Sequence, residues 1–239
     1  MKMTKHLIAL SIMLASSSAY AWQSEDGQHS TSASVELSSD YVWRGYSQTD
    51  NEPALSGSFD YQHTSGLYAG AWASNVDFEI NNDQAHIEMD VYAGFAGEIS
   101  DTGISYDLGV LRYIYPGTDS GNWNEIYASM SYSFFSLGVA HSDDVYNSND
   151  RGTYYSLGFE YPTLAGINFE TTFGYYDYDR DVFGRGNADS AKDMKVGINK
   201  DLAGFNISLN YINSDGDAGE IYGDSITDGR VVFAISKSM

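Results

Sequence analysis

The sequence predicts an all-β chain: a transmembrane, antiparallel, up-and-down β-barrel of about twelve strands, with short periplasmic turns and long acidic extracellular loops. Three observations predict it. An export signal opens the chain and no helix-length apolar run follows it; apolar and polar residues alternate with a period of two; and the connections between alternating segments are by turns short and long.

The first residues, MKMTKHLIALSIMLASSSAYA, carry Lys2 and Lys5, an apolar run from Leu7 to Ala15, and a small-x-small site at Ala19, Tyr20 and Ala21. This is the pattern of a secretory signal peptide over residues 1–21, and the run is shorter than the roughly 18 apolar residues a membrane anchor needs. Residues 22–239 are then expected to form one barrel domain, since no linker or change of composition divides them. Removing Lys2 and Lys5 leaves 10 of the 12 basic residues against 33 acidic ones, a formal charge of −23. That balance argues against nucleic acid as a partner. With 0 Cys, neither disulfides nor thiolate metal sites are available, so sheet closure must stabilise the exported chain.

The alternation begins at SASVELSSDYVW, where Ala33, Val35, Leu37 and Tyr41 oppose Ser34, Glu36, Ser38 and Asp40. In ALSGSFDY, Leu55, Phe59 and Tyr61 oppose Ser56, Ser58 and Asp60, while GLYAGAWASNV has small residues on both faces. The clearest case is AHIEMDVYAGFAGE: Ala85, Ile87, Met89, Val91 and Phe95 fall on one face, and His86, Glu88, Asp90, Tyr92 and Glu98 on the other. GISYDLGV and EIYASMSYSF repeat the pattern, the latter with Glu125 and Tyr127 on its wet face. It continues through SLGVAH, YYSLGFEY, INFETTFGYY, KDMKVGIN, FNISLNYI and RVVFAISKSM. Strands of roughly ten residues suffice for a tilted crossing of a bilayer, which makes lipid the expected partner of the apolar face.

The even-numbered connections, HTSG, ISDTG, FFS, PTLAG and KDLAG, are short. The others, among them RGYSQTDNE, DFEINNDQ, SDDVYNSNDRG and NSDGDAGEIYGDSITDG, are long and acidic. Tyr41, Trp43, Tyr113, Tyr115, Tyr175, Tyr176 and Tyr178 crowd the long-loop ends of strands, where an aromatic girdle at the headgroup layer is expected.

From Ser38 to Phe78, SSDYVWRGYSQTDNEPALSGSFDYQHTSGLYAGAWASNVDF resembles the TorF-type porin family of proteobacterial outer-membrane barrels. The matching elements are SDY, Arg44, Gly45, SQT, Pro53, Ala54, Gly57, Asp60, Tyr61, His63, Ser65, Gly66, Trp72 and the SNV of Ser74 to Val76. The rest of the mature chain follows more loosely, with Ser56 and Met239 departing from the family pattern. The resemblance implies a passive channel in the cell outer membrane, inserted by the barrel-assembly machinery, without cofactor or chemistry.

Alternation places Glu36, Asp60, Glu88, Asp90, Asp107, Glu160 and Glu170 in the lumen, against Lys195, with Arg44 near an end. Carboxylates lining a pore concentrate cations and repel anions, so the expected function is passive diffusion of small polar or cationic solutes. Inward Tyr92, Tyr127, Tyr154 and Tyr176 support an alternative in which the barrel is filled, Arg44 pairs with a lumen carboxylate as a plug, and the loops act in adhesion or envelope structure. A rim-sited hydrolase is the distant third, resting on His141, Asp143 and Asp144, which have no serine motif or second histidine nearby in sequence. Alternating acids at Asp177, Asp179 and Asp181, and at Asn213, Asp215, Asp217 and Asp224, resemble calcium loops but depart from the full pattern at Ala218. No catalytic, cofactor or metal residues are expected.

Overall fold

The computed structural model describes residues 21–80, 83–118, 121–163, 165–180, 182–183, 186 and 188–239. The proposed signal peptide therefore lies outside the described residues, apart from Ala21.

The first strands are β1 (Trp22–Gln23), β2 (His29–Ser38), β3 (Val42–Trp43), β4 (Tyr46–Ser47), β5 (Ala54–His63), β6 (Leu67–Ile80) and β7 (Asp83–Ile99). They are followed by β8 (Ile104–Ile114), β9 (Trp123–Tyr132), β10 (Phe135–Ser142), β11 (Gly152–Pro162), β12 (Asn168–Tyr178), β13 (Ser190–Leu202) and β14 (Phe205–Ser214). Two short helices, α1 (Gly216–Tyr222) and α2 (Asp224–Thr227), precede β15 (Arg230–Ser238).

Strand β2 and the strands from β5 to β15 form twelve staves, each antiparallel to the next in chain order. Closure falls on β2, which pairs with β5 from His29↔His63 to Ser38↔Ala54 and with β15 from Ser38↔Ala234 to Ser34↔Ser238. No sheet edge is left along these staves, so backbone groups are satisfied between strands. Strand β1 adds two residues beside β2, and β3 and β4 form a separate small hairpin.

The period of two sorts side chains as the sequence predicts. Leu37, Leu55, Val110, Ile126, Leu137 and Val231 stand on the exterior, each more than half exposed, while Glu88, Asp90, Asp107, Glu125 and Asn210 are buried inside. A soluble protein would bury the first set against a core; an exterior of this composition suits lipid.

Two details differ from the sequence expectation. The stretch DFEINNDQ is largely paired strand, with Phe78↔Ala85 and Glu79↔Gln84 in register beyond a bulge between Asn75 and Phe78. Past that bulge Ala85 is buried and His86 exposed, so His86 does not share the lumen with Glu88 and Asp90 as the plain alternation has it. The FFS turn is a two-residue connection, Ser133 and Phe134, between the paired Tyr132 and Phe135. Ser133 supplies the left-handed backbone (φ 57°) that such a tight reversal requires.

The buried apolar cluster lies inside the long-loop end of the barrel. Tyr46, Trp123, Tyr146, Tyr176, Tyr178 and Tyr222 are among its members. This corrects the girdle expectation: Tyr113, Tyr115, Tyr176 and Tyr178 point inward and are buried, Tyr41 and Trp43 pack against them, and Tyr175 alone of the seven is exposed.

Candidate functional site

The first strand was expected to run on through Trp43, but β2 ends at Ser38 and the chain turns into the barrel. Its tip is the hairpin of β3 and β4, with Trp43 paired to Tyr46 and Arg44 and Gly45 at the corner. Both corner residues are left-handed (φ 44° and 88°). A two-residue hairpin with positive φ at both positions matches the twist of its strands, and glycine takes it freely. Arginine does not, at a cost of about 1–2 kcal/mol, so the contacts around Arg44 must hold it there.

Those contacts come from across the lumen. Arg44 Nη2 lies 2.7 Å from Glu125 Oε2, with both side chains almost wholly buried. The guanidinium also sits over the rings of Trp43, Tyr154 and Tyr176, at 4.2, 4.4 and 4.7 Å from their centroids. A planar cation held by a carboxylate and three ring faces keeps favourable partners after losing water. Gly45 is pressed against the far wall: a Cβ there would stand 2.3 Å from Ser214 Oγ and 2.5 Å from Asp193 Cβ, and Ser214 Oγ donates to the Gly45 carbonyl at 2.7 Å.

The base and roof of this plug are tied down separately. Asp40 accepts from Ser47 Oγ (2.6 Å), Thr49 Oγ1 (3.0 Å) and Arg230 Nη1 (3.1 Å), joining the segment to β15. Above it, Asp215 caps α1 by accepting from the Ala218 amide at 3.1 Å, and α1 stacks Tyr222 on Tyr46 with ring centroids 3.9 Å apart. Asp215 and Asp224 thus belong to short helices and not to an open calcium loop. Asp179 is ion-paired with Arg151 at 2.7 Å, and Asp181 lies outside the described residues. Among the described residues no group of three potential metal ligands converges.

Below the plug lies a cavity of about 250 Å³, lined by both aromatic and charged side chains. Of the nine sequence-derived lumen residues, Glu36, Arg44, Asp90 and Lys195 line this cavity. Glu88 is buried and accepts from Tyr41 Oη at 3.0 Å. Nearer the short-turn end, Tyr68 donates to Asp107 at 2.6 Å, and Tyr92 donates to Asp60. Glu170 pairs with Lys195 at 3.3 Å and sits opposite Glu160 in the ladder. The geometry therefore gathers Glu88, Asp90 and Arg44 around the plug and leaves Asp60, Asp107 and Glu160 apart from it.

Two residues of this site lie outside the nine sequence-derived ones. Glu125 stands on the wet face of its strand, and its role as the Arg44 counter-ion depends on a contact 81 residues away in sequence. Asp193 shares the inward face with Lys195, lines the cavity, and accepts from Tyr154 Oη at 3.1 Å. His141 lies at the rim on the exterior face, with Nδ1 2.8 Å from Thr153 Oγ1 and Nε2 3.1 Å from Asp143 Oδ1.

A family model described as a bacterial protein of unknown function, Gcw_chp, matches residues 22–239. The chain belongs to that family. No curated protein matches the sequence. Among solved structures, this Gcw_chp chain is similar to the NanC porin, with a TM-score of 0.56 and 11% identity, covering 85% of this chain and 97% of the other. It is also similar to the KdgM porin, with a TM-score of 0.53 and 8% identity over 87% and 97% of the two chains. A KdgM porin in complex with disordered oligogalacturonate gives a TM-score of 0.52 at 9% identity, over 87% and 98%. At such identities the likeness establishes a shared porin-like barrel fold.

Proposed function

We propose that this chain is an outer-membrane channel for passive diffusion of small polar solutes, preferring cations, whose lumen is closed in the resting state by the segment between β2 and β5. The observation that carries the reading is the charge of the cavity beneath the plug. Glu36, Asp90 and Asp193 line it beside Asp40, which Arg230 pairs, and the two lining cations, Arg44 and Lys195, are already paired with Glu125 and Glu170. A lumen with surplus carboxylate in low-dielectric walls raises the local concentration of cations.

The same reading gives the rest of the biology its physical sense. The apolar exterior suits the bilayer, residues 1–21 serve export, and the barrel-assembly machinery is the expected partner in insertion. The TorF-type assignment belongs to this proposal and rests on the motif residues between Ser38 and Phe78. An oligogalacturonate, as found with KdgM, is a chain of carboxylates and is unsuited to this acidic lumen. Transport without chemistry accords with His141, which faces away from the lumen and has both ring nitrogens engaged.

Single-channel conductance of the refolded mature barrel in a planar bilayer, with reversal potential under a KCl gradient, tests the reading. Steps with cation preference support it, and clear anion preference refutes it. The plug also favours a second reading, a permanently sealed barrel acting through its loops in adhesion or envelope structure. A folded barrel that stays silent even when the plug is destabilised would establish that one.

A further inference from the structure

The wall beside the plug holds a carboxylate of which the channel reading uses only the charge. Asp90 is 5% exposed, it lines the cavity, and its Oδ1 has no hydrogen-bond partner in the protein. Neighbouring acids are provided for: Glu88 by the Tyr41 hydroxyl and Glu125 by Arg44. An acceptor left bare in a buried place costs a few kcal/mol, so its persistence in a residue that lines a cavity points to a donor that comes and goes.

The surroundings specify that donor. In the ladder Asp90 sits directly between Trp72 on β6 and Tyr113 on β8, and all three line the cavity. Tyr41 meets Trp72 edge-on at 5.2 Å, and Trp43 meets Tyr113 at 5.9 Å, so the rings that flank Asp90 on both neighbouring strands are themselves met by rings of the plug. Aromatic faces attract a cation within about 6 Å and pack against an apolar stem. A metal ion is poorly served, because among the described residues no third ligand converges. A carboxylate in an aromatic frame fits an organic cation that carries N–H groups.

We propose that Asp90, Trp72 and Tyr113 form a binding site for a small primary alkylammonium group, whose N–H donates to the Asp90 carboxylate while its stem lies between the rings. The inference deepens the channel reading by naming a solute class, and it is independent of whether the pore conducts. Tyr41 and Trp43 belong to the segment that carries Arg44, so an occupied site also bears on the inner edge of the plug.

The test is equilibrium binding to the full barrel in detergent, following tryptophan fluorescence during titration with n-butylammonium chloride. Tetramethylammonium and potassium chloride at equal ionic strength are the comparison titrations. Saturable binding of n-butylammonium, at least tenfold tighter than either comparison ion and weakened at least tenfold in Asp90→Asn, is the expected result. The exposed carboxylate of Glu98 lies farther along the same strand, and Glu98→Gln should leave binding unchanged. If Asp90→Asn fails to fold, Trp72→Leu keeps the carboxylate and should weaken binding severalfold. Equal affinity for tetramethylammonium, or undiminished binding in these variants, overturns the site. A cation-selective pore that binds no amine would overturn the site and leave the channel reading standing; amine binding in an anion-selective barrel would do the reverse.

Discussion

The two halves of the lumen are built on opposite principles. At the long-loop end the interior is a dry aromatic mass closed over one buried ion pair, Arg44 and Glu125. At the short-turn end it is a lattice of hydroxyls and carboxylates, Tyr68 on Asp107 and Tyr92 on Asp60, joined by Lys195 and Glu170. The upper half depends on the inserted segment together with residues of other long connections, Tyr146 and Tyr222, and the lower half on the strand walls themselves. A barrel of this kind can change the state of one half while the other stays intact, because the staves carry the fold and the plug only fills it.

That contrast is broken most sharply at Glu125. Replacing it in Glu125→Ala leaves Arg44 buried without a counter-charge, a loss of about 3–5 kcal/mol. The tip should leave the lumen, so the conductance step should grow severalfold while circular dichroism still reports the barrel. Unchanged conductance would mean that the ion pair is not what seats the plug. Gly45→Ala attacks the same tip by shape, since its Cβ would overlap Ser214 and Asp193 at a left-handed position. About 1–3 kcal/mol is expected from strain and overpacking, read as a lower midpoint of plug release in urea with the barrel midpoint unmoved.

The lower half answers differently. Tyr68→Phe removes the donor to Asp107, at about 1–2 kcal/mol, and should lower the midpoint of the barrel itself without opening the plug. A rise in conductance in that variant would show that the halves are coupled. Least is expected at Arg151→Ala, whose ion pair with Asp179 is solvent-exposed at the rim. Such pairs are screened by water and salt, and neither midpoint nor conductance should shift measurably.

Much of the wall was legible in the sequence. Glu88 and Asp90 against Met89 and Val91, or Glu125 and Tyr127 against Ile126 and Ala128, state in a few residues which face is wet. The plug was legible only as an alternative, an arginine that pairs with a lumen carboxylate. Tyr113, Tyr115, Tyr176 and Tyr178 illustrate why: a tyrosine at a strand end suits a headgroup layer and a packed interior equally well by its own chemistry. Their direction depends on what fills the barrel beside them. His86 shows the same limit on a smaller scale, because one bulge on β6 and β7 changes what lies inward beyond it.

What the sequence by itself determined is therefore the wall: twelve antiparallel strands, their two faces, and the alternation of short turns with long connections. A period of two is a local property, and the environment each face needs follows from a handful of neighbouring residues. What only the tertiary structure decided is the content of the wall. The choice of Glu125 as the partner of Arg44, the fold of Ser39 to Pro53 into the lumen, and the bare Oδ1 of Asp90 between Trp72 and Tyr113 all depend on closure of the barrel. Closure brings residues distant in the chain within a few ångströms of one another, and no local pattern encodes which of them will meet.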